Sequence, residues 1–134
     1  MTPPKKPPRY TRHVRRQPKW HKKVEQDHYE AAESYLSLIY SRKKSARFVV
    51  ALRRAKPARF QAKDIFRASQ LSRLGVSNLR VVRDRQKIKA GTPLSPILLV
   101  RDEAHGRVVV ADGYHRLCAV YEINEDAWIP CRIV

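Results

Sequence analysis

Apolar residues in the first half of the chain recur at the spacing of amphipathic helices. In residues 25–41 they fall three and four positions apart, behind a cluster of acidic residues that suits a helix start. These apolar positions are Tyr29, Ala32, Tyr35, Leu36 and Ile39. Residues 42–55 repeat the spacing among basic side chains, and Pro57 ends that helix. We therefore expect two helices that form an antiparallel hairpin packed against the rest of the chain.

The pattern then changes to short segments in which strand and helix periods alternate. Residues 60–67 alternate in part, which predicts a strand or an extended segment. Residues 81–89 have the period of a short helix, with Gly91 as its C-terminal cap and Pro93 as a breaker.

Three apolar runs near the end of the chain predict a small sheet. Residues 97–100 and 108–111 are aliphatic and are separated by a short polar loop, which predicts an antiparallel hairpin. A final strand over residues 129–134 must lie beside them to cover its own apolar side chains.

Charge changes the picture of what the protein meets. The 134 residues include 29 Lys and Arg but 12 Asp and Glu, so the formal net charge is +17, which attracts nucleic acid and other polyanions. No apolar run approaches the roughly 20 residues of a membrane helix, and the N-terminus lacks the apolar stretch of a secretory signal. We therefore expect a cytoplasmic protein with no membrane partner. Cys118 and Cys131 lack metal-ligand spacing and are expected to be buried apolar side chains.

The first 23 residues are basic, rich in proline and free of acids. Such a segment buries too little to offset its ordering entropy, so it is predicted to be a flexible arm. Its cations could lie along a phosphate backbone while Tyr10 and Trp20 stack on bases; alternatively, it is a solubilising tail that docks Trp20 on the domain. The candidate nucleic-acid-binding residues are Lys5, Lys6, Arg9, Arg12, Arg15, Arg16, Lys19, Lys22 and Lys23.

The residues after the 108–111 run form the strongest candidate site. A strand, a glycine turn and a helix start follow one another, and that order brings backbone N–H groups and the positive helix end together. Gly113 permits a positive φ, and His115 and Arg116 offer donors to phosphate oxygens. Asp112 could cap the helix or hold Mg²⁺ beside a phosphate. Physical reasoning therefore predicts a phosphate site at Gly113, Tyr114, His115 and Arg116.

The run 111–119, together with residues 94–100, resembles the ParB/sulfiredoxin superfamily, whose members place a Gly-x-(His/Arg)-Arg-x-x-Ala box after a strand. The resemblance covers roughly residues 60–134. It implies an α+β fold in which a small mixed sheet with flanking helices spans residues 57–134. The basic arm (1–23) and the helical hairpin (24–56) precede that domain.

The same resemblance implies that Gly113, His115 and Arg116 hold nucleotide phosphates. The cofactor would be a nucleoside di- or triphosphate with Mg²⁺, and the activity a phosphotransfer or nucleotide hydrolysis. The Asp-Gly-Tyr-His-Arg box is similar to the Asp-Gly-His-His-Arg box of free serine kinases, but no motif marks Asp64 or Asp84 as the acidic base those enzymes need. Tyr114 stands where sulfiredoxins have their catalytic cysteine, and no helix-turn-helix of the ParB type follows the box.

Three functions are compatible with these residues. The first is nucleotide binding, with or without catalysis. The second is non-enzymatic DNA or RNA binding through the arm and the basic helix of residues 42–54. The third is a structural or interaction protein with an empty pocket. The oligomeric state, the nucleotide and the choice of DNA or RNA cannot be read from the sequence.

Overall fold

The computed structural model describes residues 17–73 and 78–134 and has an α+β fold built on one four-stranded mixed sheet. Five α-helices accompany the sheet in these residues. The helices are α1 (Gln26–Leu36), α2 (Arg42–Arg54), α3 (Ala62–Ser69), α4 (Leu79–Ala90) and α5 (Tyr114–Ile123). The strands are β1 (Ala58–Gln61), β2 (Ile97–Asp102), β3 (Arg107–Asp112) and β4 (Trp128–Ile133). None of the helices in these two ranges is both long and apolar enough to cross a membrane.

The strand order in the sheet is β1-β4-β2-β3. Strands β2 and β3 form the predicted antiparallel hairpin, with Val100 opposite Val109. The final strand β4 lies parallel to β2 and antiparallel to β1, so the prediction that it pairs beside the hairpin is confirmed. Because β4 is central, its backbone pairs with a strand on each side, and its residues Ile129 and Cys131 are buried in an apolar core on one face of the sheet.

Each face of the sheet has its own apolar core. On one face, α3, α4 and α5 pack against Ile97, Leu99 and Ile129. On the other face, α1 and α2 pack against the alternate residues of the hairpin, including Leu98 and Val100. Strand alternation divides neighbouring residues between the two cores, so the helical hairpin covers the face opposite to α5.

The two predicted N-terminal helices are confirmed, although the first is shorter than expected. Helix α1 ends at Leu36, so Ile39 lies in the connection to α2 and is 40% exposed. Tyr35 is also exposed. Of the residues in the predicted apolar stripe, Tyr29, Ala32 and Leu36 are buried.

The prediction of an extended segment over residues 60–67 holds for the first two residues and is wrong for the other six. Strand β1 ends at Gln61, and residues from Ala62 onwards form α3. Ala62, Ile65, Phe66 and Ser69 are buried at helical spacing. The alternation of apolar and polar residues reflects strand structure only in β1. By contrast, α4 and its cap are as predicted, since Gly91 follows it in the left-handed region with φ 76°.

The part of the N-terminal arm that the structure describes lies against the domain. Trp20 forms a parallel β-bridge with Leu94, and the backbone N–H of His21 donates to the Leu94 carbonyl at 2.8 Å. The Trp20 side chain packs against the core. This agrees with the docked alternative for Trp20 and leaves it poorly placed to stack on bases. Residues 1–16, and with them Tyr10, lie outside the described residues.

Both cysteines are buried as expected. Burial raises the pKa of the Cys131 thiol to about 12, so it stays protonated and behaves as a small apolar side chain.

Candidate functional site

Gly113 forms the predicted turn between β3 and α5. Its φ is +109°, a conformation that L-residues rarely adopt. A Cβ at this position would lie 2.8 Å from Ile97 Cγ1 and 2.9 Å from Arg116 Nη2. Glycine is therefore required here both by the backbone conformation and by the space available.

Helix α5 begins at Tyr114 without a side-chain cap. Its N-cap residue is Gly113, and no side-chain hydrogen bond is formed from that position. The expectation that Asp112 caps the helix is therefore wrong. The first-turn N–H groups of a helix have no acceptor within the helix, so this end of α5 is able to bind an anion.

Asp112 instead forms an ion pair with Arg116. Arg116 Nη2 donates to Asp112 Oδ2 at 2.9 Å, and also to the Pro96 carbonyl at 3.3 Å. His28 Nδ1 lies 3.7 Å from the same Asp112 oxygen. The carboxylate thus faces two cationic or potentially cationic groups.

A cavity of about 340 Å³ opens over this helix start. Its volume is near the lower end of the roughly 300–1,000 Å³ that is usual for small-molecule sites. All four residues of the predicted phosphate site contribute to its wall. The lining residues are His28, Arg80, Arg83, Asp84, Lys87, Asp112, Gly113, Tyr114, His115 and Arg116.

Helix α4 forms the opposite wall of the cavity. Arg80, Arg83, Asp84 and Lys87 line it and lie at the i, i+3, i+4, i+7 spacing of a single helix face. Helix α4 was predicted from its period, but these four residues were not predicted to belong to a site. Their spacing was visible in the sequence, but nothing local showed that this face turns towards residues 113–116.

His28 brings α1 to the same cavity. It lies between Glu25, at 3.5 Å, and Asp112, at 3.7 Å, with its side chain 21% exposed. His28 was not predicted as a site residue, because it is more than 80 positions away in the sequence from Asp112, which it approaches. The cavity therefore combines residues from the helical hairpin, from α4 and from the strand–turn–helix unit.

Three ionisable groups in the cavity wall have shifted pKa values: His115, Asp84 and Tyr114, and burial raises the pKa of Tyr114 above its usual 10.0. Burial, followed by the nearby Arg80 charge, lowers the pKa of His115 below its usual 6.5. Burial raises the pKa of Asp84 above its usual 3.8, although Arg116 and Lys87 oppose the shift. His115 is therefore held towards its neutral form, and Asp84 is a carboxylate that loses part of its hydration.

Tyr114 has a structural role beside its place in the cavity wall. Its hydroxyl donates to the Ser72 carbonyl, and its ring packs against the core. The ring centroid lies 5.7 Å from that of His115. Tyr114 therefore joins the helix start to the residues that follow α3.

Mg²⁺ does not fit Asp112 as this chain holds it. The Oδ2 atom already accepts from Arg116 and faces His28, whereas Mg²⁺ needs near-octahedral oxygen ligands. Arg80, Arg83, Lys87 and Arg116 of the same wall are cationic, which further disfavours a divalent cation there. Asp64, the other acid considered from the sequence, lines a separate pocket with Phe60 and Ile65.

A larger and more open depression of about 680 Å³ lies beside α3 and α5. Among the described residues its cations are Arg67 and Arg73, and Arg73 lies 4.9 Å from the Tyr121 ring centroid. The smaller cavity is the better anion site, because it combines a helix start with cations from a second helix.

Of the nine arm residues predicted to bind nucleic acid, three lie in the described part of the chain. Lys19, Lys22 and Lys23 are exposed and lie outside the wall of the cavity. The other six fall within residues 1–16.

Comparison with known proteins finds no match: no family model, no curated protein and no solved structure is significantly similar to this chain.

Proposed function

We propose that the cavity between α4 and the start of α5 binds the phosphate groups of a nucleoside di- or triphosphate. One observation carries the proposal. Arg80, Arg83 and Lys87 face the uncapped helix start at Gly113 across the cavity. Side-chain cations and backbone N–H groups on opposite walls are the arrangement that a phosphate group needs.

The charges of the cavity favour an anion. Of its two carboxylates, Asp112 is already paired with Arg116, and the raised pKa of Asp84 shows that its charge is disfavoured there. No ion pair of Arg80, Arg83 or Lys87 occurs among the described residues. These three cations are therefore available to a ligand.

The resemblance of residues 111–119 to the ParB/sulfiredoxin box supports a nucleotide as the source of the phosphates. The cavity is large enough for a polyphosphate end, with the base and sugar outside or at its rim. A phosphotransferase or nucleotide hydrolase would extend this proposal. Catalysis there would depend on positioning and on charge stabilisation by groups such as Arg83 and His115.

Thermal unfolding with a panel of nucleotides tests the proposal. Nucleoside di- and triphosphates, with and without Mg²⁺, should raise the melting temperature of the full chain in a saturable manner. Arg83→Ala combined with Lys87→Ala should abolish that rise. Lys89→Ala, on the same helix but outside the cavity, should preserve it. An equal loss in both variants, or no rise in the wild type, would contradict nucleotide binding. Release of inorganic phosphate, measured on the same samples, tests hydrolysis separately.

A second candidate function is DNA or RNA binding through the arm and α2. Helix α2 contains no acidic residue, and its exposed cations include Arg42, Lys43, Arg47 and Arg54. A gel shift with steep salt dependence that is lost when residues 1–23 are removed would support the arm. An unchanged shift after truncation would exclude it.

A further inference from the structure

The face of the sheet that carries α1 and α2 is only partly covered by them. Their core contains residues of β2 and β3 but none of β1, while the odd-numbered residues of β4 face the other core. By register, Arg59 lies opposite Pro130, and Gln61 lies opposite Trp128. Arg132 pairs with Leu98, which belongs to the core formed with α1 and α2. Paired residues of neighbouring strands lie on the same face, so these side chains are on the α1–α2 face of the sheet. The residues Arg59, Gln61, Trp128, Pro130 and Arg132 are termed the β1–β4 surface; Arg59 and Trp128 are exposed, and the other three are half-buried.

Trp128 is the unusual member of this surface. Its residue is 53% exposed, whereas the chain's other tryptophan, Trp20, packs against the core. The guanidinium carbon of Arg59 lies 5.9 Å from the Trp128 ring centroid. A large aromatic ring on a rigid strand, with an Arg beside it, presents a flat π-surface next to a positive charge.

Further cations lie along the same surface, away from the ring. Arg132 follows Trp128 by four residues on the same face, about 13 Å along an extended strand. Its Nη2 donates to the Lys22 carbonyl at 3.2 Å. The exposed Lys22 and its neighbour Lys23 therefore lie near the Arg132 end of the surface. Asp126 lies near the other end but is paired with Lys63 at 2.6 Å. The surface therefore has a positive balance.

We propose that the β1–β4 surface binds single-stranded nucleic acid, with a base stacked on Trp128 and phosphates contacted by Arg59 and Arg132. An aromatic ring flanked by cations is how proteins hold single strands without reading sequence. The net charge of +17 favours the same partner. A membrane surface is the poorer fit, because an interfacial site needs an extended apolar face, and Pro130 is the only other apolar residue here.

The proposal is independent of the nucleotide cavity. Trp128 and Arg59 lie outside the cavity wall, so either site can fail without the other.

Two oligonucleotides separate stacking from charge. The full chain is titrated, at about 0.15 M salt, with a thymidine strand of about 12 nucleotides and with an abasic strand of equal length. Oligouridine serves as the RNA arm of the same titration. We expect the base-containing strands to bind at least about fivefold more tightly than the abasic strand. Trp128→Ala should remove that preference, whereas Leu38→Ala, which truncates an 83%-exposed side chain elsewhere, should retain it.

Fluorescence supplies a second readout. In a Trp20→Phe background, Trp128 is the only tryptophan, and stacking should quench its emission. Equal affinity for base-containing and abasic strands would overturn the proposal, as would a preference that survives Trp128→Ala. A blue shift with phosphatidylserine vesicles but no quenching by oligonucleotide would overturn it in favour of a membrane surface.

Discussion

Arg116 and Asp112 form an ion pair across one turn of backbone, with 2.9 Å between Nη2 and Oδ2 and with each side chain at most 15% exposed. The pair closes over Gly113 and ties the end of β3 to the first turn of α5. Arg116 therefore has a structural partner before any ligand arrives. The cations of α4 are the freer ligands for a phosphate.

Replacing Asp112 by Asn should separate these two roles. We expect Asp112→Asn to lower the free energy of unfolding by about 1–3 kcal/mol, because Arg116 loses a charged partner in a mostly buried position. The same change should tighten anion binding, since a negative charge leaves the cavity wall. Chemical denaturation measures the first effect and calorimetric titration measures the second. Weaker anion binding in a folded variant would show that Asp112 positions Arg116 for the ligand.

Gly113→Ala tests the geometry of the turn. Its Cβ would meet Ile97 at 2.8 Å in a backbone with φ +109°, so we expect a loss of about 2–5 kcal/mol of stability. Gly106→Ala is the matched control. That glycine also has a positive φ, of +61°, but a Cβ there meets no atom of the described residues within 4 Å, so the loss should be about 1–2 kcal/mol. Equal losses in the two variants would contradict the close packing at Gly113.

Asp84→Asn should stabilise the protein at neutral pH. Because burial raises the folded-state pKa of Asp84, its contribution to stability is greatest in acid, below the usual 3.8, and falls as pH rises through the raised value. Asn does not ionise, so the variant does not lose stability as pH rises. Its gain in stability over the wild type should therefore appear near pH 7 and vanish in acid. Asp64→Asn, at an exposed carboxylate beside Arg67, should give no comparable gain. Melting temperatures across pH 3–8 check both variants.

Anion binding should strengthen as pH falls. The pKa of His115 is lowered by burial, so the ring is neutral at pH 7 and gains charge only in more acidic solution, where it attracts an anion. Protonation of Asp84, whose pKa is raised by burial in the same cavity, would add to this trend. Sulfate is the suitable probe because it does not titrate in this range. His115→Gln should flatten the profile between pH 8 and 5.5, whereas His105→Gln, in the hairpin loop, should not.

The local parts of the site could be predicted from the sequence, but its enclosure could not. The β3–Gly113–α5 unit depends on neighbours within a few residues, so strand pattern, glycine and helix period were sufficient to find it. The wall formed by Arg83 and Lys87 depends on how α4 packs against α5. A short stretch of sequence contains no information on that packing.

Two other features could not be predicted from the sequence: the change from strand to helix within residues 60–67, and the order of the strands in the sheet. Residues 60–67 contain the end of one strand and most of a helix, so a single period could not describe them. The exposure of Trp128 follows from strand order and from the extent of the covering helices. Alternation alone places a residue on a face, but it does not tell whether that face is covered.

Amide chemical shifts measured by NMR test the nucleotide cavity most directly. On titration with a nucleoside triphosphate, the N–H signals of residues 113–116 should shift in a saturable manner together with those of Arg83 and Lys87, while Gly106 stays unchanged. Unmoved signals at residues 113–116, with shifts confined to other basic surfaces, would contradict a phosphate site at this helix start.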